Sequence, residues 1–113
     1  FYKLHYRNFK MKSRPQFLAL LAFLSPEDGN NATPVSSGYR PEIKFPFDQK
    51  LVRGKQNFME TELVFPGDVV QSEITILTEE DYAGKFYSGL DFEFYEGEIL
   101  IGHGVIIRLI DEN

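Results

Sequence analysis

At 113 residues and a formal net charge of −5, the chain has room for one domain with one core, and its acidic balance works against a broad phosphate-binding surface. The absence of cysteine excludes disulfides, a thiolate nucleophile and a zinc knuckle. Eleven Phe and six Tyr supply bulky core material, so a stable core is feasible without staples.

The first fourteen residues hold Lys3, Arg7, Lys10, Lys12 and Arg14 and no acid, leaving seven bases against 17 acids in the rest. This basic N-terminal arm, residues 1–14, reads as a solvated tail or a partner of the acidic body in preference to a nucleic-acid contact. No secretory signal pattern is present, which makes a cytoplasmic address the default expectation. Phe17 to Leu24 is the longest apolar run, and its eight residues fall far short of the roughly 20 that a membrane-spanning helix requires. Read as a strand, the run points Phe17, Ala19, Leu21 and Phe23 into a core and leaves Leu18, Leu20, Ala22 and Leu24 outside. Its Leu/Ala content keeps a buried helix open as the alternative.

Farther along, Ile43, Phe45 and Phe47 are spaced to line another inner face. The turn signal Pro66-Gly67-Asp68 opens a strand in which Val70, Ser72, Ile74 and Ile76 alternate with Val69, Gln71, Glu73 and Thr75. Leu90, Phe92 and Phe94 alternate with Asp91, Glu93 and Tyr95, as in a half-buried strand. Glu96-Gly97-Glu98 supplies a turn into the apolar segment Ile99 to Ile110, where Gly102 and Gly104 are most simply a barrel corner. About six strands joined by Gly/Pro/Asn-rich turns predict a closed antiparallel barrel.

No catalytic constellation is present. The chain lacks a phosphate loop and a guanine-reading motif, so no nucleotide or cofactor is expected to bind. His5 and His103 lie far apart, and His103 between two strand glycines reads as structural. Glu79-Glu80-Asp81 reads as a solvated loop, because consecutive side chains diverge instead of converging on a metal. Asn31-Ala32-Thr33 matches a glycosylation acceptor only formally, since no secretion signal accompanies it.

Three ordered segments carry a family resemblance. Thr33-Pro34-Val35-Ser36-Ser37-Gly38-Tyr39-Arg40-Pro41 resembles the Thr-Pro…Gly-Tyr-Arg-Pro element of the elongation factor Tu C-terminal domain. Phe65-Pro66-Gly67-Asp68 is similar to that family's Met-Pro-Gly-Asp turn, and Tyr95-Glu96-Gly97 through Gly102-His103-Gly104-Val105 to its closing hairpin. Together they span about Gln16 to Ile110. The resemblance implies a closed six-stranded antiparallel β-barrel of Greek-key type over residues 15–113, and a role in holding the T-stem of aminoacyl-tRNA and in contacting the nucleotide exchange factor.

Several positions depart from that pattern. Asn31 and Ala32 stand where the family has Arg and His, and Tyr95 and Ile99 where it has two arginines. Losing several phosphate contacts lowers RNA affinity by orders of magnitude at physiological salt, which argues against ordinary tRNA binding. Leu18 and Leu20 replace family glutamates, so Leu18, Leu20, Ala22 and Leu24 are expected to meet a second subunit or the basic arm. Tyr39, Arg40, Glu96 and Gly97 are the candidate partner-binding residues, with a salt bridge to a neighbouring strand as the alternative role for Arg40. The chain is thus expected to be a non-enzymatic binding module for a protein partner or a second copy, with a tRNA- or ribosome-binding domain of a larger translation GTPase, or a stand-alone RNA binder, as the alternative.

Overall fold

A computed structural model describes residues 14–26, 33–78 and 82–110. The strands are β1 (Phe17–Phe23), β2 (Val35–Ser36), β3 (Glu42–Lys44), β4 (Val52–Phe58), β5 (Leu63–Val64), β6 (Val69–Leu77), β7 (Asp91–Glu96) and β8 (Ile99–Leu109). Six of them close an antiparallel barrel in the order β1-β6-β4-β3-β7-β8, and β2 pairs with β5 in a small separate ribbon. Strands β3, β4 and β6 are successive neighbours and β7 returns to lie beside β3, which is Greek-key connectivity. A 3₁₀ turn, Ala83–Lys85, lies between β6 and β7. The apolar run is a strand, not a helix, and it pairs with β6 on one side and β8 on the other.

Alternation fills the interior. Phe17, Ala19, Leu21 and Phe23 of β1, Ile74 and Ile76 of β6, and Phe92 and Phe94 of β7 are all buried. Two aromatic groups close the barrel lengthwise. Phe17 meets Phe45, Phe86 and Phe92 with ring centroids 5.0–6.4 Å apart, and Phe23 meets Phe58 and Phe94 at 6.1 and 5.1 Å. These spacings suit edge-to-face packing, and each fully buried Phe contributes roughly 1.5–3 kcal/mol.

Gly102 and Gly104, expected at a barrel corner, lie where neighbouring side chains press against β8, and the β7–β8 register shifts beside Gly102. A Cβ at Gly102 would lie 2.5 Å from the Ala22 carbonyl oxygen and 2.6 Å from Phe94. One at Gly104 would run into the Phe92 ring and come within 2.9 Å of Leu21. The β7 and β1 side chains occupy the space that β8 leaves empty.

Leu18 also differs from expectation. It points outward by alternation, opposite Glu73 and Arg108, yet it is buried within the single chain. Leu18 therefore does not require a second subunit to leave water, whereas Leu20, 39% exposed, is still open.

Candidate interaction site

The three segments that carry the resemblance fold so that two of them share one groove. After β2, the turn at Gly38 takes a backbone φ of +94°, in the left-handed region that favours glycine. This turn is strapped to β4: the Gly38 N–H donates to the Gln56 carbonyl at 2.8 Å, the Gln56 N–H donates to the Tyr39 carbonyl at 2.8 Å, and the Phe58 N–H donates to Ser37 Oγ at 2.9 Å. Tyr39 and Arg40 thereby arrive at the outer face just before β3. From the other side, β7 and β8 meet in a two-residue turn, Gly97-Glu98, with Gly97 at φ +63°.

Glu42 stands between Arg53 of β4 and Tyr95 of β7, placing all three on one outward row. Tyr39, Arg40, Pro41, Glu42, Arg53, Tyr95, Glu96 and Gly97 surround a groove of about 340 Å³. The four sequence-predicted residues Tyr39, Arg40, Glu96 and Gly97 are thus neighbours. Arg53 and Glu42 were not singled out in the sequence, because a charged residue on an outward strand position carries no signal by itself.

Hydrogen bonds fix most of the polar groups in this groove. The Tyr39 hydroxyl donates to Glu96 Oε1 at 2.9 Å, and the Tyr95 hydroxyl donates to Glu93 Oε1 at 2.7 Å. Partial burial, reinforced by the hydrogen bond and negative charge of Glu96, pushes the Tyr39 phenol far above its ordinary range. The hydrogen bond from Tyr95 to Glu93 raises Tyr95 as well. Both phenols remain protonated donors at neutral pH. Arg53 Nη1 donates to the Arg40 carbonyl at 2.8 Å, and Arg53 Nη2 lies 4.0 Å from Glu42 Oε2. The salt bridge considered for Arg40 is therefore made by Arg53. Arg40 contributes its carbonyl, and its exposed guanidinium forms no ion pair among the described residues.

The other candidates lie elsewhere. Leu20 is exposed opposite Gln71 and Val105, Ala22 is exposed opposite Val69 and His103, and Leu24 is half-buried, its N–H donating to the Ile101 carbonyl. Val69, 61% exposed, belongs to this face and was missed, since its pairing with Ala22 is set by a register spanning 47 positions. His103 is exposed on β8 beside Glu93, in a depression shared with Lys44 and Asp91. No group of three metal-ligating side chains occurs among the described residues. The basic arm up to Ser13 with His5, the positions Asn31 and Ala32, and the Glu79-Glu80-Asp81 run lie outside the described residues.

The architecture defines an all-β closed barrel with a packed interior and an outward groove. No protein-family model matches the chain. No helix among the described residues is long and apolar enough to cross a membrane.

Proposed function

We propose that the chain is a non-enzymatic binding module, a translation-factor-type β-barrel of the elongation factor Tu C-terminal kind, that engages a protein partner through the groove between the Gly38 turn and the β7–β8 turn. The observation that carries this reading is the Tyr39–Glu96 hydrogen bond, which joins two of the three resembling segments into a single surface. The groove's composition supports a protein partner: tyrosine and arginine are the side chains that dominate protein–protein contacts, and both tyrosines are already held in place by carboxylates.

Charge supports the same choice over RNA. Arg40 and Arg53 are offset within the groove by Glu42 and Glu96, so no net positive field is available to displace counterions from a phosphate backbone. A partner carboxylate can pair with the unengaged Arg40 guanidinium while its neighbouring groups pack on Tyr39, Pro41 and Tyr95. The test is a filter-binding titration of the chain with aminoacyl-tRNA near physiological salt. The expected outcome is no measurable tRNA-selective binding, and sub-micromolar selective affinity would overturn the reading in favour of an RNA-binding domain.

A further inference from the structure

Across the barrel from this groove, the outward face where β1 meets the start of β6 carries Leu20, Ala22 and Val69 around a single polar residue, Gln71. Ala22 faces Val69 directly, and Leu20 is one pair farther along, opposite Gln71. Met59, whose N–H donates to the Gln71 carbonyl at 2.9 Å, borders the same depression of about 330 Å³ as Val69 and Gln71. Leu20, Met59 and Val69 are 39%, 38% and 61% exposed, so three large apolar side chains stand open around Gln71.

The border of this surface is charged, and mostly of one sign. Glu60 lines the depression, Glu62 follows it in the loop between β4 and β5, and Asp68 immediately precedes Val69. Glu73 continues the outward row of β6, opposite Leu18. Toward β8 the flanking groups are His103 and Arg108. A second copy adds another chain of net charge −5 to the contact, which disfavours it electrostatically. A basic segment with apolar side chains meets both the apolar centre and the acidic loop favourably.

We propose that the β1–β6 face is a docking site for a segment of another protein that combines Lys or Arg with large apolar side chains. Burial of Leu20, Met59 and Val69 supplies the apolar contact, and Glu60, Glu62 and Asp68 supply charge selectivity. This inference does not depend on the groove or on the resemblance.

The test titrates the full chain into a fluorescein-labelled 14-residue peptide of alternating Lys and Leu, with an alternating Glu and Leu peptide as control, and reads fluorescence anisotropy. Saturable binding of the Lys peptide alone is expected, with Val69→Lys and Leu20→Lys each weakening it at least tenfold while leaving the circular dichroism spectrum unchanged. Amide shifts on binding should concentrate at residues 20–22, 59–61 and 69–71. Equal binding of both peptides, binding of neither, or variants that bind as wild type would each overturn the proposal. Light scattering that finds a dimer split by Val69→Lys would assign the face to a second copy instead. Affinity for the Lys peptide that rises when Lys3, Arg7, Lys10 and Lys12 are replaced by Gln would assign it to the chain's own basic arm. Both results also overturn the proposal.

Discussion

Tyr39 and Glu96, 57 positions apart in the chain, are joined by a 2.9 Å hydrogen bond from the phenol to the carboxylate. One residue follows a left-handed glycine at the entrance to β3 and the other ends β7, so the bond pins two turns that β3 alone would otherwise connect. Because the Tyr39 phenol titrates above its unfolded value of 10.0, the stability it contributes is fully present below pH 10 and is lost as the pH rises through its folded value. Tyr39→Phe should therefore destabilise the chain at neutral pH and remove one late-ionising phenol from an alkaline absorbance titration. A titration curve unchanged apart from one ordinary tyrosine would contradict the assignment.

Gln56 is the only fully buried amide among the described residues that faces the barrel interior, and neither Nε2 nor Oε1 has a hydrogen-bond partner. Its backbone bonds to Gly38 and Tyr39 do not depend on the side chain. An unsatisfied buried polar group costs about 1–3 kcal/mol, so Gln56→Met, which keeps length and removes the amide, should raise unfolding stability by about 1–2 kcal/mol. Chemical denaturation gives the sign directly, and a loss of stability would show that the amide finds partners in solution.

Gly102→Ala should destabilise more than a surface glycine substitution such as Gly84→Ala. Its new methyl meets a backbone oxygen, that of Ala22, which cannot rotate away, whereas a Cβ at Gly84 meets nothing within 4 Å. Overpacking of this kind costs typically 1–3 kcal/mol, and the fall in thermal midpoint relative to Gly84→Ala measures it.

Tyr82 donates its hydroxyl to Asp48 Oδ2 at 2.5 Å, and this bond, followed by one from the Lys50 N–H, holds the Asp48 carboxyl below its ordinary value of 3.8. A lowered carboxylate contributes stability above its unfolded value and loses it as the pH falls through the folded one. Tyr82→Phe should thus be less stable than wild type at pH 7, with the gap narrowing below about pH 4. A gap that widens in acid would refute the linkage.

Legibility in the sequence tracks how strictly apolar residues alternate. β1, β6 and β7 announce themselves because Phe17, Ile74, Phe92 and their i+2 partners are apolar and face inward. β4 is not legible in this way, since two of its interior positions are Gly54 and Gln56; the Ile43 side chain fills the space a Cβ at Gly54 would need. The ribbon of β2 and β5 is two residues per strand, too short for any period to show. In the groove, Tyr39, Arg40, Glu96 and Gly97 were marked by resemblance, but Arg53 and Glu42 join them only through the register of β3 against β4. Alternation sets Leu18 on the outer side of β1, while its burial depends on contacts that alternation does not encode.

The most direct test of a protein-binding groove is photocrosslinking from its edge, with benzoylphenylalanine replacing the exposed Glu98 of the β7–β8 turn in the full chain inside cells and the adducts split by protease or nuclease treatment. A discrete adduct that resists nuclease, disappears with protease and is weakened when Glu96→Ala releases Tyr39 is the expected result. An adduct that nuclease removes would contradict the account and make the groove an RNA contact.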